Sequence, residues 1–245
     1  MTVACGRTNS PVKLLLEAGA SVNQTNSVGQ TALHMCCHSG QNTILKTLLS
    51  HSSDVHLRDA FGRTPLHYAC KYNSLDIIDL LLEAGAQANI VDSRGLTELE
   101  LAAQSGADPD SKVRRLIQSS SYPNRLIIEV YETLAGSLLI NVPAGNDHLD
   151  NAIDCMRKAT LMRKEHNLPK IVSPPVECYG FAKEWETMED LELHHNSREE
   201  LELQGMIARE RIYKGRHTER LLWDNIIFLR MYSKIYTRYW FQDAL

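Results

Sequence analysis

A step of 33 residues runs through the first half of the chain and limits its fold more than any other feature. Thr31, Thr64 and Thr97 stand 33 apart, and three further columns keep the step: Gly29, Gly62 and Gly95; Asn26, Asp59 and Asp92; Asn23, His56 and Asn89. Each column has a physical reason. An Asn or Asp three residues before a Gly suits a tight turn, because the side-chain oxygen bonds nearby backbone and Gly tolerates positive φ. The Thr that follows caps a helix, and Pro65 fits the first helical turn, where no amide partner is lost. That helix carries small residues for close packing: Cys36-Cys37, Ala69-Cys70 and Ala102-Ala103. A second helix then shows a wide apolar face, Ile44, Leu45, Leu48 and Leu49 in one unit and Ile77, Ile78, Leu80, Leu81 and Leu82 in the next. No such helix pair buries its face alone, so neighbouring units must stack.

Thr64 to Ala69 reads Thr-Pro-Leu-His-Tyr-Ala, and Thr-Pro-Leu-His-x-Ala at a period of 33 is the ankyrin-repeat pattern. The expected fold is all-α, an ankyrin-repeat solenoid followed by a tetratricopeptide-like helical region. Residues 1–118 are assigned about three and a half repeats, 119–125 a linker and 126–245 the helical region. Val12–Asn23 reads as the second helix and exit loop of an incomplete first repeat, with the expectation that the native protein continues N-terminally. The last repeat puts Glu98 and Glu100 where the others have Pro or Ala and His. These charges are expected to mark where the stack stops.

In the helical region Leu126–Leu139 and His148–Arg163 read as helices separated by the breaker Val142-Pro143-Ala144-Gly145-Asn146. Gly136 on the first, with Ala152, Met156 and Ala159 on the second, suggests a tetratricopeptide-like close pair. Leu168–Pro175 is a connector, since its three prolines break a helix. A helix is predicted over Ser197–Tyr213 with Leu201, Met206, Ile207 and Ile212 on its apolar side. Lys214-Gly215-Arg216 should end it, and another helix rich in Tyr and Trp should start near Glu219.

No recognisable chemistry accompanies these helices. The net charge of −4 argues against a nucleic-acid-binding protein. No apolar run reaches the roughly 18 residues of a membrane span, and the first twenty residues do not pattern as a signal peptide. A cytoplasmic location, extending to the nucleus, is the expectation. The six cysteines show no Cys-x-x-Cys spacing and read as reduced, packed thiols. No nucleophile elbow, dinucleotide loop or phosphate loop occurs. His34 and His67 share one repeat position and read as turn residues. His194-His195 sits badly for a metal, because adjacent residues on a helix diverge. Cys178 lacks a specific partner, and Arg209, Arg211, Lys214, Arg216 and Arg220 read as a solvated face. The chain is therefore read as a non-catalytic binding protein with no cofactor and no metal.

A binding surface follows from the repeat itself, since turn tips and the exposed side of each first helix line one concave face. The tips are Ser27, Val28 and Gln30; Ala60, Phe61 and Arg63; Ser93, Arg94 and Leu96. The helix exits are His38 and Ser39, Lys71 and Tyr72, Gln104 and Ser105. Aromatic residues flanked by Arg have the character of binding hot spots, so Phe61, Arg63, Lys71, Tyr72, Arg94 and Gln104 are the candidate protein-binding residues.

The string Leu203-Gln204-Gly205-Met206-Ile207-Ala208-Arg209-Glu210-Arg211-Ile212 resembles a "GLIVRERILG"-like string of the Fem (feminization) family, where it follows an ankyrin stack. Leu126–Leu139 resembles the family's first helix after the array, Ala152–Arg163 its partner, and Tyr179-Gly180-Phe181-Ala182 a Tyr-rich stretch. The resemblance implies a substrate receptor of a cullin-RING ubiquitin ligase that holds the C-terminal degron of a target, often ending in Arg, and recruits elongin and cullin subunits. No pocket residue carries over. The family's early acidic residue has no counterpart beside Ala4-Cys5, where Gly6-Arg7 stand, and the elongin box is expected beyond Leu245. The alternative is a generic ankyrin-repeat interaction scaffold without a ligase role.

Overall fold

The computed structural model describes residues 10–72, 75–105, 109–140, 146–170, 185, 187–194 and 198–213 of the 245. Eleven α-helices and no strand occur among the described residues. Three repeats are each a helix pair: α2 (Ala32–Ser39) with α3 (Asn42–Ser50), α4 (Pro65–Tyr72) with α5 (Leu75–Glu83), and α6 (Glu98–Ala103) with α7 (Pro109–Ser119). They are preceded by α1 (Ser10–Glu17). First helices pack in one row, α2 on α4 on α6, and second helices in another, α3 on α5 on α7. The interior they close holds Leu33, Cys36, Cys37, Ile44, Leu45 and Leu48, then Leu66, Ala69, Cys70, Ile77, Ile78 and Leu81. Leu49, Leu80 and Leu82 lie at the edge of the predicted apolar faces and are only partly buried.

The turns explain the repeat columns atom by atom. Asn26 Oδ1 accepts from the amides of Val28 at 3.0 Å and Gln30 at 2.9 Å. Asp59 Oδ1 accepts from Phe61 and Arg63, both at 2.9 Å, and Asp92 Oδ1 from Arg94 at 2.9 Å and Leu96 at 3.1 Å. Gly29, Gly62 and Gly95 take φ of 75°, 70° and 73°, the left-handed conformation that glycine adopts without strain. Adjacent turns are joined by backbone: Ala60 N–H donates to the Val28 carbonyl at 3.0 Å and Ser93 N–H to that of Phe61 at 2.9 Å. A Cβ on Gly29 would stand 3.0 Å from the Ala60 nitrogen, so this glycine also permits the turns to approach.

Each Thr meets the residue three positions on. Thr31 N–H donates to His34 Nδ1 at 3.1 Å, Thr64 N–H to His67 Nδ1 at 3.2 Å, and Thr97 N–H to Glu100 Oε2 at 2.8 Å. Glu98 and Glu100, whose charges are expected to mark where the ankyrin stack stops and another module begins, both lie in the interior. Glu100 is buried and closes a capping box with Thr97, the exchange that Thr-x-x-Glu favours. Glu98, also buried, accepts from the amides of Asn89 and Ile90 and from the Tyr122 hydroxyl at 3.0 Å. Lys112 of α7 is buried as well, its Nζ donating to the Cys70 carbonyl at 3.3 Å and Ser105 Oγ at 3.2 Å. Packing continues past the last repeat, because α8 (Asn124–Ile140) lies on both α6 and α7. The described residues up to Ile212 form one compact unit.

Beyond the repeats, α8 packs along α9 (Asn146–Glu165), followed by α10 (Met188–His194) and α11 (Arg198–Tyr213). Leu201, Met206, Ile207 and Ile212 are buried, as the pattern of α11 predicts. Lys214–Arg216, the helix expected from Glu219 and Tyr179–Ala182 lie outside the described residues. Gly136 was expected to serve the pairing of α8 with α9; its closest approach is instead to α11. A Cβ there would stand 2.8 Å from the Gly205 carbonyl oxygen, and one on Gly205 would stand 2.7 Å from Gly136 Cα. Beside this crossing Glu132 joins three elements: Arg163 Nη2 of α9 reaches its Oε1 at 3.0 Å, Arg211 Nη2 of α11 its Oε2 at 2.5 Å, and Lys170 lies 3.8 Å away. Burial pushes the Glu132 carboxyl up, and the three cations outweigh that and hold it below the usual range.

Gly136→Ala sets two effects against each other. Alanine gains about 1 kcal/mol of helix propensity, and overpacking against a backbone oxygen costs about 1–3 kcal/mol. The net result expected is a lower melting temperature, with Gly205→Ala behaving alike. A variant more stable than the parent would refute the close crossing.

Candidate functional site

The candidate recognition face is built from the turns of Asp59 and Asp92 and the exposed side of α4. Phe61 sits at the tip of the Asp59 turn and is 49% exposed. Two residues on, Arg63 lays its guanidinium 5.6 Å from the Phe61 ring centre and 5.9 Å from that of Tyr68. Arg63 Nε donates to Asp92 Oδ2 at 3.3 Å, and the same oxygen receives Arg94 Nε and Nη2, each at 3.2 Å. The Asp92 side chain is wholly buried beneath them. Burial alone would raise its pKa, and the Leu96 and Arg94 amides together with the two guanidiniums hold it down.

Tyr68 ties this group to the next ring. Its hydroxyl donates to Asp59 Oδ2 at 2.7 Å and accepts from Gln30 Nε2 at 2.8 Å. The ring stacks on Tyr72 with centres 6.3 Å apart, and His38 meets Tyr72 edge-on at 4.6 Å. Lys71 places its ammonium 5.0 Å from the centre of the Tyr72 ring, which is 43% exposed overall. Five of the six candidates, Phe61, Arg63, Lys71, Tyr72 and Arg94, thus fall in one run of rings and cations. Gln104 stands at the end of α6, its backbone amide bonded to the Glu100 carbonyl at 3.2 Å, and joins neither the guanidiniums nor the rings.

Sequence reasoning overlooked Tyr68, the residue that holds the run together. It fills the variable position of Thr-Pro-Leu-His-x-Ala, where the other repeats have Met35 and Leu101; an aromatic residue among aliphatics was the available signal. Leu96, read as a tip residue, is buried at 1% exposure.

The buried histidines and thiols have structural roles. His34 Nε2 bonds the Arg63 carbonyl at 3.1 Å, and burial lowers its pKa so that the neutral ring bridges one turn to the next. Cys36, Cys37, Cys70 and Cys155 are buried thiols outside any disulfide; burial raises the pKa of Cys37, Cys70 and Cys155, the last to about 12. A cavity between the later helices is lined by Glu132, Met156, Lys170, Trp185, Leu191 and Gln204. Its polar groups face each other: Lys170 Nζ donates to the Trp185 carbonyl at 2.6 Å, and Gln204 Oε1 accepts from the Trp185 amide at 2.7 Å. Among the described residues no His, Cys, Asp and Glu side chains gather as a metal set, and no helix is long and apolar enough to cross a membrane. The His194-His195 pair and Cys178 lie outside the described side chains.

Stacked helix pairs with bonded turn tips and a ring-and-cation face define a solenoid repeat protein of the kind that binds through its concave surface. The family model for ankyrin repeats matches in three copies over residues 1–92 and 44–126, and the chain belongs to the ankyrin-repeat family. Among curated proteins no match to the chain is found.

The pH dependence of folding follows from His67. Burial lowers its pKa to about 4, opposed by Asp92 and by nearby carbonyls. The unfolded chain binds a proton there near 6.5 and the folded chain does not, so stability present above pH 6.5 falls as the pH is lowered. Glu98, 3.9 Å away, has a raised pKa through burial and acts in the opposite sense. Between pH 6.5 and about 5 the His67 contribution is about 2 kcal/mol. Urea unfolding across this range should show a shallower fall for His67→Gln than for the parent; parallel profiles would contradict the assignment.

Proposed function

We propose that this chain is a non-catalytic protein-binding adaptor of the cytoplasm and nucleus that serves as the substrate-recognition part of a cullin-RING ubiquitin ligase. Ankyrin repeats bind protein partners, and the observation that carries the reading is the run of Phe61, Arg63, Tyr72 and Lys71, in which the two aromatic rings are exposed. Rings and guanidiniums of this kind supply large contact area at low entropic cost. In this reading residues 1–118 recognise the target, 119–125 link, and 126–245 form the tetratricopeptide-like helical region.

Support for the ligase role comes from the Fem-like stretches. Each of the three that are described contributes one residue to a single ion cluster: Glu132 from the first, Arg163 from the second and Arg211 from the third. Targets are then held by their C-terminal degrons.

Fluorescently labelled peptides ending in Arg test this directly. A free C-terminal carboxylate should bind about tenfold more tightly than the amidated form, the usual scale for loss of one charged contact. Phe61→Ala with Tyr72→Ala should weaken binding several-fold while the melting temperature stays close to that of the parent. Equal binding of free and amidated peptides would leave the generic ankyrin scaffold as the function.

A further inference from the structure

The charge balance under the recognition face is uneven. Asp92 Oδ1 is taken by two backbone amides, and its Oδ2 receives both Arg63 and Arg94. Asp59 is likewise committed, one oxygen to the amides of Phe61 and Arg63 and the other to the Tyr68 hydroxyl. Two guanidiniums therefore share one carboxylate oxygen. The carboxylate lies beneath them at 0% side-chain exposure, while Arg63 and Arg94 keep 16% and 24%. Cations face water and their counter-charge does not.

A guanidinium carries five N–H donors in a planar fork that matches a carboxylate. Asp92 occupies one donor of Arg63 and two of Arg94. Lys71 adds a third cation over Tyr72. The apolar component adjoins directly, since Arg63 lies on the Phe61 ring and Tyr68 leads on to Tyr72.

We propose that Arg63 and Arg94, with Phe61 and Tyr72 beside them, form a docking surface for an acidic segment of a protein partner. A side-chain carboxylate of the partner sits on the guanidinium pair, and an adjoining apolar or aromatic side chain lies against Phe61 and Tyr72. This rests on the reading of the recognition face as a protein-binding surface, and it adds the chemistry of what that face takes. It concerns side-chain carboxylates, so it stands or falls apart from the C-terminal degron and from the ligase link. The segment is a polypeptide, the class of partner that ankyrin repeats bind.

The test uses the full chain and a short fluorescent peptide alternating Glu with Phe and Leu, amidated at its C-terminus to remove the terminal carboxylate. Two counterparts carry Gln or Lys in place of Glu. The Glu peptide should bind about tenfold more tightly than the Gln peptide, and the Lys peptide more weakly still. Arg94→Gln and Phe61→Ala should each weaken the Glu peptide by about three- to tenfold, and Arg125→Gln, an exposed arginine of α8, should leave it unchanged. Arg94→Glu should reverse the order of the Glu and Lys peptides, an outcome that loss of structure does not produce. Should Arg94→Glu fail to fold, Arg94→Gln and the weakening of binding with salt carry the test. The proposal is overturned if the Glu and Gln peptides bind alike, if neither binds at millimolar concentration, or if Arg94→Gln and Phe61→Ala have no effect. Tighter binding of a single-stranded oligonucleotide with the same dependence on Arg94 and Phe61 would overturn it in favour of nucleic acid.

Discussion

One side-chain oxygen in each turn accepts two backbone amides, and the architecture of the repeats hangs on it. Without Asn26, Asp59 or Asp92 those amides would lose their partners, and at the buried Leu96 amide an unsatisfied donor costs about 1–3 kcal/mol. With the oxygen in place the turn closes, its glycine enters the left-handed region and the following Thr is presented to cap a helix. The same turns set Phe61, Arg63 and Arg94 at fixed places on the proposed recognition face. Turn closure and that proposed face meet in Asp92, whose one oxygen holds the backbone and whose other holds two cations.

The last repeat keeps this geometry with different chemistry. Glu100 takes over the hydrogen bonds that His34 and His67 make to their threonines, and it can do so because a carboxylate accepts from both the amide and the hydroxyl. Glu98 takes a position where its neighbour has proline and uses the buried carboxylate to bind the Asn89–Ile90 backbone and Tyr122. The two glutamates thus turn a repeat into a joint. Buried Lys112, held by Cys70 and Ser105, belongs to the same arrangement.

Local rules were legible in the sequence, and distant pairings were not. The turns, the threonine caps and the buried faces of α3, α5 and α11 follow from spacing, because each is decided within one or two helical turns. Five of the six candidate residues fall together for the same reason: the period places them in register. Tyr68 escaped notice because its value lies in contacts with Gln30, Asp59 and Tyr72, which three different segments supply. Gly136 invited a partner near in sequence, whereas its close neighbour is Gly205. Glu98 and Glu100 were read by charge, and only the folded neighbourhood shows that each carboxylate is fully engaged. Glu132 gave no signal at all, since its partners lie 31 and 79 residues away.

The backbone bonds from Ala60 to Val28 and from Ser93 to Phe61 act as a ruler. Each spans 32 positions, so the distance from one tip to the next is counted in residues rather than in ångströms. An added or deleted residue between those tips would slide one turn past its neighbour and leave both amides facing the wrong carbonyl. Change of length is therefore confined to stretches that lie off the ruler, and the segment following α6 is one of them. Related chains should differ freely there while holding the tip-to-tip count, so drift in sequence is permitted along the stack and drift in length is not.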